Sequence, residues 1–326
     1  MQKVAVVGAG GMGSIHARAY AKMPNAELVA VCDILPEVAE RLGESLSVAA
    51  FPSLKKLLSE VEVDVVDVCV PTNVHLDIIK EAAAAKKHIC SEKPLARTTG
   101  QAMEAVRICE EAGVTLFVAQ VVRWFPEFKK LHDLIAGGSV GDPTVVRTSR
   151  CGTPPGRWFG DFKQSGGVIL DLIIHDFDWL RWCFGKVRRV YARGLLDAGI
   201  AGRDYALVTL RHESGVISHV EGSWARPTGF QVSVEIAGTK GLLSFSSKDS
   251  TPLTIECRAK GDAEVGVIVP ESPVSVDPYY QELEHFINCL EEGRTPDVTA
   301  QDGLEAVRIC EAAMRSVSTG RPVVLA

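Results

Sequence analysis

At 326 residues, 46% hydrophobic and 23% charged, the chain has the composition of a globular protein long enough for two domains. A formal net charge of −6 argues against a nucleic-acid binder working through a basic face, and no apolar run reaches the roughly 18 residues a membrane span needs. The nine cysteines are scattered and include no C-x-x-C pair, so neither a disulfide framework nor a metal site is expected. Cys32, Cys69, Cys90, Cys109 and Cys310 read as small core residues, and a reducing cytoplasm is the expected location. A first strand beginning at residue 3 leaves no room for a signal peptide.

The first predicted strand, 3–7, contains the apolar run Val4 to Val7 and leads directly into Gly8, Gly10 and Gly13 in G-x-G-x-x-G spacing. Gly8 permits a tight turn, Gly10 lets backbone approach a pyrophosphate, and Gly13 lets the following helix, 12–22, pack close to the sheet. That helix would direct its N-terminal N–H groups and positive dipole end at phosphates. A second strand, 27–32, ends at Asp33, twenty residues after Gly13, where an acid can accept from a ribose hydroxyl pair. Asp33 is followed by Ile34 and Leu35, with no adjacent Arg or Lys for a 2′-phosphate, which favours NAD over NADP.

Strands are further predicted at 65–69, 88–90 and 115–119, alternating with helices at 36–42, 54–60, 73–85 and 99–112. Such alternation implies an α/β domain over residues 1–120 with a doubly wound parallel sheet, whose ligand sits at the carboxyl ends of the strands. One rim would then gather Gly8–Gly13, Asp33, Pro71-Thr72-Asn73, Glu92-Lys93-Pro94 and Gln120. The pattern changes in 121–326. A connecting helix is predicted at 123–136 and a strand at 144–150. A Gly- and Pro-rich loop follows at 152–167, carrying Arg157 and Trp158, then an apolar helix at 168–184. The remaining strands, 187–195, 205–211, 216–224, 230–237 and 241–245, are closely spaced, as an antiparallel sheet requires, and helices are expected at 278–290 and 300–317. A sheet with few helices to cover it is expected to mediate a homo-oligomer. The heptad Glu104-Ala-Val-Arg-Ile-Cys-Glu recurs at Glu305, a coincidence between amphipathic helices, since the flanking strands do not repeat.

Within 168–184, Asp171 and His175 lie four apart on one predicted helical face, with Asp178 a turn later. His175 reads either as a core histidine satisfied by Asp171 or as an acid–base group held by that carboxylate. Lys93, just after a rim strand, reads either as an exposed turn residue or as an ammonium placed to stabilise an alkoxide; Pro94 could hold a cis turn. Arg123, Arg157, Trp158 and Tyr280 are candidate substrate contacts, the arginines for an anion and Trp158 for a sugar ring. His16 reads as a packing residue.

Together, Gly8-Ala-Gly-Gly-Met-Gly with His16, Asp33, Pro71-Thr72-Asn73-Val-His75, Glu92-Lys93-Pro94 and Ser165-Gly-Gly-Val-Ile-Leu-Asp171-Leu-Ile-Ile-His175-Asp-Phe-Asp178 resemble the Gfo/Idh/MocA family, the glucose–fructose oxidoreductase and inositol dehydrogenase group. The resemblance extends through Tyr280-Gln-Glu-Leu-Glu-His-Phe and Asp302-Gly-Leu-Glu-Ala, so it covers essentially the whole chain. It implies a Rossmann domain followed by an α/β domain with an open, mostly antiparallel sheet that commonly forms a dimer or tetramer interface. It implies Lys93, Asp171 and His175 as catalytic residues: His175 accepts the hydroxyl proton, Lys93 contacts the same oxygen, and Asp171 binds a neighbouring hydroxyl or tunes the histidine. Expected cofactor contacts are Gly8, Gly10, Gly11, Met12, Gly13, Asp33, Ile34, Pro71, Thr72, Asn73, His75, Glu92, Lys93 and Gln120. The implied activity is NAD-dependent oxidation of a secondary alcohol on a cyclitol, sugar or sugar derivative. The alternatives are an NAD-dependent glycosidase using transient oxidation and a non-catalytic nucleotide-sensing regulator.

Overall fold

The computed structural model describes residues 1–196, 204–248 and 277–325. Strands β1 (Gln2–Val7), β2 (Ala26–Cys32), β3 (Ala49–Phe51), β4 (Val65–Val68), β5 (His88–Glu92) and β6 (Leu116–Ala119) form a parallel sheet in the order β3-β2-β1-β4-β5-β6. Helices α1 (Gly11–Tyr20), α2 (Pro36–Leu46), α3 (Leu54–Glu60), α4 (His75–Ala84) and α5 (Thr99–Ala112) connect them. Strand order reverses between β1 and β4, so the loops leaving these two strands flank the crevice where such sheets bind ligands. The Val4–Val7 run is buried on both faces, which is why it reads as continuous rather than alternating. The edge strand β3 was not expected. Ala49-Ala50-Phe51 is too short to carry a period and pairs only along β2.

Beyond β6, a 3₁₀ turn at Val121–Trp124 precedes α6 (Pro126–Ala136), so the predicted connecting helix is split at Phe125, just before Pro126. The second sheet comprises β7 (Pro143–Cys151), β8 (Val187–Leu195), β9 (Tyr205–His212), β10 (Ile217–Ser223), β11 (Gln231–Gly238), β12 (Leu242–Ser246) and β13 (Val323–Val324), ordered β12-β11-β7-β10-β9-β8-β13. Every neighbouring pair is antiparallel except β7 with β10. In β11, Val232, Val234 and Ile236 are buried while Gln231, Ser233 and Glu235 face outward, the alternation of a sheet covered on one side.

The loop between β7 and the next long helix holds a 3₁₀ turn, Arg157–Gly160, and α7 (Phe162–Ser165). Gly166 and Gly167 both have positive φ, and a Cβ on Gly167 would fall 2.4 Å from an Asp204 carboxylate oxygen. The predicted apolar helix at 168–184 is two pieces. Val168–Leu172 is a π-turn closed by the Ile173 N–H donating to the Val168 carbonyl at 3.0 Å, and α8 (Ile174–Phe184) starts afresh.

Helix α9 (Pro278–Glu292) lies against α1, and α10 (Ala300–Thr319) packs on α5 and β6 as well as on α8 and β8. The two copies of the repeated heptad thus lie in contacting helices. Helix α10 opens with a reciprocal capping box between Thr299 and Asp302. It approaches β6 so closely that a Cβ on Gly303 would sit 2.6 Å from Val118 Cγ2. Among the described residues no helix is long and apolar enough to cross a membrane, and the cysteines are all free thiols.

Because Val118 is a buried, χ1-restricted strand residue, Gly303→Ala should destabilise the fold by about 1–3 kcal/mol, read as a lower urea midpoint at unchanged m-value.

Candidate active site

The glycine turn fills its expected roles. Gly8 has φ +98°, and a Cβ there would lie 2.5 Å from the Cys69 carbonyl oxygen; one on Gly13 would lie 1.7 Å from the Gly8 carbonyl oxygen. Gly10 and Gly11 face open space. The N-terminus of α1 has no side-chain cap and no acid in its first turn, so its free N–H groups suit a phosphate. At the end of β2, Asp33 accepts from the Ala9 N–H through Oδ2 at 2.8 Å and from the Leu35 N–H through Oδ1 at 3.0 Å, which fixes its carboxylate beside the turn. Each oxygen keeps a lone pair for a ribose hydroxyl. Ile34, next to it, is 87% exposed, an apolar ledge at the mouth of the crevice. Across the crevice the Thr72 hydroxyl and both ends of the Gln120 amide are buried without a partner among the described residues. Such orphans are costly unless a ligand satisfies them. These groups fit a dinucleotide.

Lys93 follows β5 in a turn whose Lys93–Pro94 peptide is cis. Its ammonium donates to the Asp171 carbonyl at 2.7 Å and lies 3.4 Å from Asp171 Oδ1. The parallel sheet thereby contributes a cation to the π-turn at the other side of the cleft. The predicted single helix carrying Asp171, His175 and Asp178 is interrupted: Asp171 lies in the wide turn, while His175 and Asp178, three apart, lie in α8. Asp171 pairs with Lys93, Asp178 with Arg123, and His175 Nδ1 is buried with no partner among the described residues. Burial, followed by the charges of Lys93 and Arg150, holds the His175 pKa well below the usual imidazole range. His175 is therefore a neutral base at pH 7.

The profile described as "Oxidoreductase family, NAD-binding Rossmann fold" matches residues 2–120, and that of the "GFO/IDH/MocA C-terminal domain" matches 128–244. The chain belongs to the Gfo/Idh/MocA family. It is an NAD(P)-dependent oxidoreductase acting on CH–OH groups. Among relatives, the myo-inositol 2-dehydrogenase of Thermotoga maritima is 32% identical, aligned over 99% of this chain and 98% of its own. The scyllo-inositol 2-dehydrogenase (NAD(+)) of Bacillus subtilis is 30% identical over 99% and 96%. The structure of GenD2 from gentamicin A biosynthesis, in complex with NAD, superposes with a TM-score of 0.89 at 28% identity, covering 100% of this chain and 96% of that one.

Several expected site residues of this family member serve other purposes. Arg123 is corrected from a substrate contact to a buried strut. Its Nε donates to Asp178 Oδ2 at 2.7 Å, Nη2 to Oδ1 at 2.5 Å, and Nη1 to the Asp297 carbonyl at 3.1 Å, which leaves little for a ligand. His75 is likewise a clamp rather than a cofactor contact, with Nδ1 2.8 Å from the Pro94 carbonyl and Nε2 2.9 Å from that of Val70. Glu92 turns its carboxylate inward, towards His16 and the Lys93 N–H. Tyr280 donates its hydroxyl to Glu284 one turn along α9, at 3.0 Å, so its phenol is engaged away from Lys93. Pro71 starts the turn after β4 and Asn73 is exposed there, while Met12 is half-buried at the start of α1. Trp158 is half-buried against Phe159, ring centroids 4.0 Å apart, in the turn that also carries Arg157, whose side chain lies outside the described residues. Two hollows, about 770 Å³ on the outer face of the second sheet and about 660 Å³ beside Arg123 and Trp182, contain none of Lys93, Asp171 or His175 in their linings.

Two groups escape a sequence reading. Arg150 pairs with Asp176 at 2.7 Å within the apolar core, and its charge acts on His175 from β7. Beneath the Lys93 turn, Glu282 on α9 is fully buried with both carboxylate oxygens unpartnered. Burial above all, with Glu92 and Asp67 adding to it against His16, lifts its pKa well above the usual carboxylate range. No spacing links Arg150 to the motifs, and Glu282, within the Tyr280–Phe286 segment, carries no local sign that it turns inward.

A carboxyl held protonated in the fold but ionised in the unfolded chain costs stability as pH rises from the unfolded value, about 4.5, through the raised folded value. Glu282→Gln, a neutral isostere, should remove that loss: above the unfolded value the parent's unfolding free energy should fall with pH more steeply than the variant's, by at most about 1.4 kcal/mol per pH unit.

Proposed function

We propose that the chain oxidises a secondary alcohol of a cyclitol, sugar or sugar derivative with NAD. The observation that carries this reading is the His175 imidazole, its pKa lowered and its Nδ1 without a partner among the described residues, in the field of an ammonium, Lys93, that the parallel sheet delivers to the facing π-turn. His175 accepts the hydroxyl proton, and Lys93 stabilises the negative charge that develops on the same oxygen. Asp171 anchors the ammonium and offers its remaining carboxylate capacity to an adjacent hydroxyl. A bound nicotinamide supplies the acceptor for the hydride of the carbinol carbon. The glycine turn holds the pyrophosphate, Asp33 and Ile34 the adenosine end, and Thr72 and Gln120 the inner polar edge. With Asp33 fixed in place and no cation beside it, NAD is preferred over NADP.

The relatives that act on myo- and scyllo-inositol support a polyol of this class, and Trp158 with Arg157 are the remaining candidates for the substrate pocket. In this reading residues 1–120 form the nucleotide domain and 121–326 the substrate and assembly domain, in a cytoplasmic protein. The outer face of the second sheet exposes Leu195, Leu207, Phe230 and Leu242 around its broad hollow, which favours a homodimer or homotetramer built on that face.

Substrate class is tested by mixing NAD with cyclitols, aldoses, sugar acids and nucleotide sugars and following NADH absorbance; hydrolysis of an aryl glycoside without net NADH would replace dehydrogenation with the glycosidase reading. Lys93→Ala and His175→Ala should retain NAD affinity by fluorescence titration while losing at least about 100-fold in kcat. Since His175 protonates only well below its ordinary pKa, the acid limb of the kcat/KM profile should lie below pH 6.5. Asp33→Ala should raise the Kd for NAD more than that for NADP; an equal rise would place the ribose elsewhere.

A further inference from the structure

The core beneath the Lys93 turn holds a set of charges that cofactor binding does not account for. Asp67 stands in the middle of β4 with no exposure, and His16 faces it from α1, also fully buried. His16 Nδ1 is 2.8 Å from Asp67 Oδ2, and on the far side of the ring Nε2 makes an ion-pair contact at 3.3 Å with Glu92 Oε1. The other Glu92 oxygen accepts the main-chain N–H of Lys93 at 3.0 Å. From there the lysine side chain reaches the Asp171 carbonyl at 2.7 Å. A continuous path therefore runs from the central strand through the imidazole and a carboxylate to the backbone that carries the ammonium.

We propose that His16 is a positioning residue for the oxidation: clasped between Asp67 and Glu92, it locks the Lys93 backbone and thereby aims the ammonium. This rests on the reading of Lys93 as the group that stabilises the alkoxide. Nδ1 is hydrogen-bonded to Asp67, whereas Nε2 meets Glu92 at ion-pair distance without a hydrogen bond, so the hold on Glu92 is electrostatic and calls for the imidazolium. Burial opposes that charge, but Cys69 and Asp67 facing the ring outweigh it and hold the His16 pKa well above 6.5. Helix α9 closes the chamber with Glu282 and Tyr279, whose ring centroid lies 6.4 Å from that of His16. With Glu282 protonated, one imidazolium faces the two remaining acids, so the clasp is held by charge as well as by shape. A helical histidine one turn past the glycine turn, facing the sheet and not the crevice, has no contact to make with a dinucleotide. Its reach to the reaction is through Glu92.

The test uses the intact protein and the double variant His16→Leu/Asp67→Val, which replaces both buried charges by apolar side chains, an exchange that folds tolerate far better than removal of one partner. Acetylation of Lys93 by acetic anhydride is followed by peptide mass spectrometry without cofactor, with exposed Lys163 as internal reference. Freed from its clasp, Lys93 should react at least about fivefold faster relative to Lys163, while kcat on the polyol that the parent oxidises falls about 10–100-fold and the Kd for NAD stays within about twofold. If the double variant does not fold, Glu92→Gln, which keeps shape but loses the charge His16 holds, should still speed Lys93 labelling about twofold. An unchanged Lys93-to-Lys163 ratio in a folded variant overturns the proposal. A parent that oxidises no polyol overturns the substrate reading alone, because the labelling result still decides whether His16 positions Lys93.

Discussion

The contact from the Lys93 ammonium to the Asp171 carbonyl, 2.7 Å, is the link on which the site depends. It joins the end of a strand in one sheet to a π-turn packed on the other, so neither sheet alone holds a complete site. A lysine placed there must be stiff in its backbone and must find acceptors at its tip. The first need is met by Glu92 and by His75, which ties the Val70 and Pro94 carbonyls together. The second is met by the Asp171 carbonyl and carboxylate, both in the π-turn. Helices α9 and α10 fix the relation of the two parts by lying against α1 and α5 while remaining continuous with the second half of the chain.

The same region shows how buried charge is apportioned. Around α8 each acid has a cation of its own: Asp178 has Arg123 and Asp176 has Arg150. Each pair satisfies itself within low-dielectric surroundings, where a lone ion would cost several kcal/mol. His175, just before them in sequence, makes no carboxylate contact among the described residues. It feels the fields of Lys93 and Arg150, and those fields together with burial keep it neutral. The pairing of its neighbours thus leaves the imidazole able to act as a base. At His16 the balance is opposite: burial is outweighed by Cys69 and Asp67, and the pKa is raised. Identical side chains thus shift in opposite directions because of what faces them.

Much of the fold was legible because its elements carry strong local signals. Helices α3 and α5 run over the expected residues, each introduced by a side-chain cap, Ser53 and Thr98. The strands of the second sheet alternate apolar and polar residues along their length, and β11 shows this most clearly. The break at 172–174 was hidden, since every residue from Val168 to Ile174 except Asp171 is apolar and suits either helical form. The same lack of signal misplaced Arg123. An arginine after a rim strand reads alike whether it meets a substrate or a buried aspartate 55 positions away. Likewise, which of the adjacent Tyr279 and Tyr280 turns inward depends on how α9 is rotated against α1.

By itself the sequence determined what is local: the parallel and antiparallel halves and the glycine turn with its acid at the end of β2. Those follow from periodicity, from backbone sterics and from motifs whose residues are close in the chain or fixed at strand ends. Only the tertiary structure decided which ionisable groups face one another. Proton affinity and hydrogen-bonding partners depend on burial and on charges tens to hundreds of positions away, and no one-dimensional pattern records those distances.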